Sequence, residues 1–174
     1  MAVDLAYDPA DPTLARIRGI ALAFPGAQAG SDARYVCELL TNTLGGGSTS
    51  RLFEKIREDE GLAYAIYAYQ SSYLTAGMIG IYAAVAPQNL SKTLDLTRRE
   101  LDRLCEEPIP DGELESNREQ IKGGMLIALE NTFTRMSRLA KSMIYYGRLV
   151  PLDEIIARLD AVTAADIRRQ AQET

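Results

Sequence analysis

Arg57 and Tyr64 are the two side chains whose types and spacing suit them to joint chemistry. A guanidinium is a permanently charged fork of N–H donors, and a phenol is a neutral O–H donor. Together they can hold a carbonyl oxygen or the oxyanion that develops from it. Seven residues separate them, and the interval passes Gly61. Arg57 would then leave the last turn of a helix, and Tyr64 the start of a strand just past a glycine turn. A plainer alternative stands beside this one: Arg57 pairs with Glu54 or Glu60, and Tyr64 is a half-buried strand aromatic.

The run Gly45-Gly46-Gly47-Ser48-Thr49-Ser50 is the second candidate. Stacked backbone N–H groups at a helix start bind anions. A phosphate-binding P-loop also needs a lysine, and none lies there. A helix-to-helix turn is the simpler reading, and a glycine-lined stretch admitting an extended peptide is the functional one.

What the chain lacks is equally informative. It contains no histidine. That removes the commonest general base, the commonest zinc ligand and the partner a serine or cysteine nucleophile needs. Ser48 and Ser50 therefore have no Ser–His pair available. Glu58-Asp59-Glu60 point in different directions on a helix and read as a solvated helix end, so no metal site is expected. Cys37 and Cys105 fall on apolar helical stripes and read as buried free thiols.

The elements that must position these residues follow from pattern and punctuation. Residues 1–14 read as an irregular lead-in, and Ala15–Phe24 as a strand ended by Pro25-Gly26. Ser31 is placed to cap a helix through Leu44, stopped by Gly45–Gly47. A second helix runs from Ser48–Ser50 to Glu60, with Gly61 as its C-terminal glycine. Ala63–Ser72 and Gly77–Ala86 read as a hairpin joined by Tyr73–Ala76. Gln88–Glu106 is helical, with Leu90, Leu94, Leu101 and Leu104 in helical phase. After Pro108-Ile109-Pro110, a long helical segment runs from Asp111 to Tyr146, kinked or divided at Gly123-Gly124. Pro151 opens a short helix, and Thr163 with Asp166 forms a capping-box pattern for the last one. Strands early and helices late give an α+β fold: a mainly antiparallel sheet with helices packed on one face.

The bulk numbers narrow the partners. The chain has 174 residues and a net charge of −5, with a pI near 4.9. An acidic balance argues against nucleic acid, which needs a basic face. No stretch is long and apolar enough for a membrane span. The compartment stays open between cytoplasm and periplasm.

Residues 39–73, LLTNTLGGGSTSRLFEKIREDEGLAYAIYAYQSSY, resemble the later domain of the M16 metallopeptidases, the pitrilysin, insulin-degrading and mitochondrial processing peptidase family. That domain has a leucine-rich helix, a Gly-rich turn, S-R-L-F, then R-E-x-x-G-L-x-Y. Leu44–Phe53, Arg57, Glu58, Gly61, Leu62 and Tyr64 match it. Phe24-Pro25-Gly26, the Gly77 strand and Ile109–Leu114 also fall where the family places such segments. The resemblance implies one domain over 15–174, part of a longer chain.

It also implies a division of labour. The family binds zinc through H-x-x-E-H on a different domain, so this chain is expected to carry no metal and the zinc to lie on a partner M16 domain or subunit. By the resemblance, Tyr64 would hydrogen-bond the scissile carbonyl oxygen, Arg57 would fix the substrate backbone, and Gly45, Gly46 and Gly47 would contact peptide. Homo- or heterodimerisation would pair the two halves. The alternative is an M16-like scaffold without a peptidase role.

Overall fold

The computed structural model describes residues 18–174. The expected lead-in, residues 1–14, and the expected strand start at Ala15 lie outside these residues. Three strands, β1 (Arg18–Gly26), β2 (Ala63–Ser72) and β3 (Gly77–Val85), form an antiparallel sheet in the order β1-β3-β2. Six α-helices follow the chain as α1 (Ala33–Gly45), α2 (Leu90–Glu106), α3 (Asp111–Ala128), α4 (Thr132–Tyr146), α5 (Leu152–Asp160) and α6 (Ala164–Glu173). A π-helical segment, Phe53–Asp59, lies between α1 and β2. The architecture is α+β, as the sequence implies.

Alternation along the strands sorts their side chains. Ile20, Ile66, Ile79, Ile81 and Val85 face the helices and join Leu39, Leu40, Leu44, Leu52 and Ile56 in one core. Tyr67 and Tyr69 stand on the opposite, open face, where Tyr67 packs against Tyr82 with ring centroids 5.2 Å apart. Burying a full Leu or Ile is worth about 1.5–3 kcal/mol, so this single-sided apolar face is what binds α1 to the sheet.

Two boundaries and one helix face differ from what the sequence implies. β1 does not stop at Pro25: Pro25 pairs with Met78 and Gly26 with Gly77. Proline is tolerated there because β1 is an edge strand, where a missing N–H need face no neighbour. The long helical segment is not divided at Gly123-Gly124, which lie inside α3. The division falls at Asn131, whose side chain accepts from the Phe133 and Thr134 amides and starts α4. On α2 the buried positions are Thr93, Leu96, Thr97, Glu100 and Leu104, rotated from the leucine stripe; Leu90, Leu94 and Leu101 are only partly buried.

Both cysteines are free; Cys37 is buried and Cys105 half-buried. Burial pushes both thiols above their usual range. That is the direction of an inert structural thiol.

The Thr163–Asp166 capping box is present, with each side chain bonded to the other's backbone amide. Bonds from the Thr163 hydroxyl and amide hold the Asp166 carboxyl below the usual range. Its contribution is therefore complete above the ordinary Asp pKa and is lost as pH falls through the lowered one. Thr163→Ala is expected to cost about 1 kcal/mol near neutral pH. The difference from the parent should narrow in acid, as read by urea denaturation at a series of pH values.

Candidate functional site

The site is built on a turn. Leu52 and Ile56 are fully buried and anchor the π-helical segment, which leaves Arg57 pointing outward. Gly61 then adopts φ +59°, the left-handed conformation glycine enters without strain. The Leu62 amide donates to the Ile56 carbonyl at 2.9 Å, and the Asn89 side chain donates to the Leu62 carbonyl at 3.1 Å. Both bonds are made by Leu62, just past the glycine, and tie down the connection between Arg57 and Tyr64.

Tyr64 owes its direction to an irregularity in the sheet. Ala63 pairs with Val85 and Ala65 with Ala84, so Tyr64 is an extra residue opposite no partner. Strict alternation from buried Ile66 and Ala68 would turn position 64 inward. The bulge reverses that parity, which is what an inserted residue does to a strand. Tyr64 is 78% exposed, the most exposed of the large apolar residues among those described. It is not a half-buried strand aromatic.

Arg57 is likewise uncommitted. Glu60 is taken by Lys92 at 2.5 Å, and Asp59 by Lys55 at 3.2 Å. Arg57 takes part in none of the ion pairs among the described residues; its guanidinium carbon lies 4.8 Å from the centre of the Phe53 ring. Stacking on a ring orients the fork while leaving its N–H groups available. Lys92 and its hydrogen bond hold Glu60 ionised below the usual range, so that acid is neutralised without Arg57.

The Gly-rich turn divides in two. Gly45 is buried, and a Cβ there would sit 2.2 Å from the Ala68 amide nitrogen, so its bareness lets α1 abut β2. Gly46 is exposed, and Gly47 lies against the Gln120 side chain of α3. The Asn42 side-chain amide donates to Asn117 and Gln120 across the α1–α3 seam, and Arg51 makes two bonds to Glu113 at 2.7 and 2.8 Å. The turn is thus tied to α3. No hydrogen bond joins it to Arg57 or Tyr64 among the described residues. Tyr67, Tyr69 and Tyr82 line the open face of the sheet; the alternation Tyr67-Ala68-Tyr69 signals the first two in the sequence.

The described residues do not fit zinc: the chain has no histidine, and no three Cys, Asp or Glu side chains among those residues are grouped to hold a metal.

Fold and sequence together define the class: the chain belongs to the peptidase M16 inactive domain family, whose model matches residues 12–121. Among individual proteins, it is 38% identical over 154 residues to the uncharacterized zinc protease YmxG of Bacillus subtilis, covering 88% of this chain and 38% of that protein. It is 34% identical to an uncharacterized zinc protease of Streptomyces coelicolor, over 88% of this chain and 34% of the relative. The chain therefore spans about a third of the length of these relatives. In fold it is similar to a peptidase M16 inactive domain from Pseudomonas fluorescens, with TM-score 0.77 and 18% identity over 91% of this chain and 38% of the other. A chain of complex III2 from Candida albicans gives TM-score 0.82 at 21% identity, over 94% of this chain and 41% of that one. No helix among the described residues is long and apolar enough to cross a membrane.

Proposed function

We propose that this domain is the substrate-binding half of an M16-type zinc endopeptidase and supplies Tyr64 and Arg57 to a zinc site on another domain or subunit. The observation that carries the reading is the bulge at Tyr64, which aims a phenol into solvent where no partner among the described residues uses it. Exposing a large aromatic without using its O–H leaves a donor ready for a ligand.

In this reading Tyr64 donates its hydroxyl proton in a hydrogen bond to the scissile carbonyl oxygen, and the bond strengthens as negative charge develops there. Arg57, held over Phe53, donates to carbonyl oxygens of the substrate backbone and fixes its register. An extended peptide would pass Gly46 and Gly47, where the missing side chains allow close approach; Gly45 serves packing. Bound on that other domain, the metal would supply Lewis-acid chemistry, and the described residues of this chain offer it no ligand set.

Arg57→Met tests the binding part. With this chain mixed with a zinc-bearing M16 domain, the substitution is expected to lower kcat/KM by roughly tenfold, the effect of one charge-assisted hydrogen bond, mainly through KM. Unfolding of the variant should stay within about 0.5 kcal/mol of the parent, because an exposed side chain is replaced. Unchanged kinetics would leave Arg57 without a role and favour the scaffold alternative.

A further inference from the structure

A groove between α4 and the first turn of α1 gathers positive charge in an acidic chain. Arg34 comes from α1, while Arg138 and Lys141 lie one turn apart on α4. Tyr145, Val150 and Ile155 add apolar walls around a space of about 290 Å³. No Asp or Glu lines it. None of the three cations belongs to an ion pair among the described residues. Acids on adjoining elements are engaged elsewhere: Asp32 by Arg158, Glu154 by Arg148 and Arg158, and Glu38 by Gln70.

The cations are held in place without being satisfied. Arg138 donates from Nη2 to the Val150 carbonyl at 2.7 Å, but its Nε–H is buried with no acceptor. A buried N–H on a charged group without a partner is unfavourable. Arg34 donates from Nη2 to the Tyr35 hydroxyl at 2.5 Å and lies 4.2 Å over the Tyr35 ring and 5.4 Å from the Tyr146 ring centre, which positions its fork and leaves its other N–H groups without a protein acceptor among the described residues. Lys141 is exposed and free of hydrogen bonds. Two guanidinium forks and an ammonium beside aromatic and aliphatic walls suit a planar anion on an apolar body. A phosphate cradle of backbone amides is missing, since Asn131 already occupies the first amides of α4.

We propose that this groove binds a carboxylate carried on an apolar residue, namely the C-terminal residue of a peptide. The inference is independent of Tyr64 and Arg57, because binding to this chain alone reads it. The probe is an N-acetylated peptide ending in leucine with a free carboxylate, titrated into the 174-residue chain and followed by amide chemical shifts. Saturable binding is expected, with shifts at Arg34, Lys141 and Tyr145. Affinity should fall at least tenfold in Lys141→Glu, and fall again with added salt. Lys141 makes no contact that supports the fold, so this variant remains testable if Arg138→Met, which also loses the Val150 bond, proves unstable. Equal binding of the C-amidated peptide, tighter binding of inorganic phosphate, an unaffected Lys141→Glu variant, or no binding would each overturn the assignment.

Discussion

Replacing Tyr64 by Phe is expected to lower kcat for peptide cleavage by about 10²–10³-fold, the loss seen when one oxyanion donor is removed. The assay is this chain mixed with a zinc-bearing M16 domain. The substitution deletes one oxygen from a side chain that is 78% exposed and has no hydrogen-bond partner among the described residues, so nothing in their fold depends on it. KM should move little, because the bond strengthens only as the carbonyl oxygen gains charge; a donor used equally in the ground state would raise KM instead. Stability should stay within about 0.5 kcal/mol of the parent. Undiminished kcat would remove Tyr64 from the mechanism, whatever the bulge does.

Gly45→Ala is expected to cost about 3 kcal/mol or more, the upper range for forcing atoms into a packed interior. The added carbon would meet the Ala68 nitrogen at 2.2 Å and the Tyr67 carbonyl carbon at 2.8 Å. These are backbone atoms of β2, and no rotamer change relieves them. Relief requires α1 to move off the strand that carries Tyr64, so the site should be disturbed along with the core. Urea denaturation checks the prediction as a lowered midpoint at constant slope. Gly123→Ala is the control: nothing lies within 4 Å of its new carbon, and it sits inside α3. It should stabilise by about 0.5–1 kcal/mol, the helix-propensity difference. A Gly45→Ala variant as stable as this control would refute the packing role.

These two residues also mark where sequence was legible and where it was not. Arg57, Gly61 and Tyr64 could be found from types and spacing, because a left-handed glycine between a helix and a strand leaves a local signature. Their freedom from internal partners could not. Arg57 had Glu54 and Glu60 within helical reach, yet its guanidinium lies over Phe53, and Glu60 is taken by Lys92 from an element distant in sequence. Tyr64 reads as one of several strand tyrosines. Its outward direction follows from a register shift between β2 and β3, a property of two strands together.

The helices repeat the lesson. Gly123-Gly124 looked like a break because glycine is a poor helix former, yet its cost of about 1 kcal/mol per residue is too small to stop a segment held at α1 and α5. Asn131 ended it through a side-chain cap that one residue suffices to make. Gly45 shows the reverse case: the sequence marked a turn, whereas the structure gives that glycine a place in packing. The absence of histidine was legible throughout, and its meaning came from the family to which the chain belongs.

The measurement that bears most directly on the account is peptide cleavage by three samples: this chain, a zinc-bearing M16 domain, and the two mixed. The account predicts cleavage in the mixture alone, and loss of that cleavage when the mixed chain carries Tyr64→Phe. Full activity from the zinc-bearing domain by itself, or from the mixture with the variant, would contradict it.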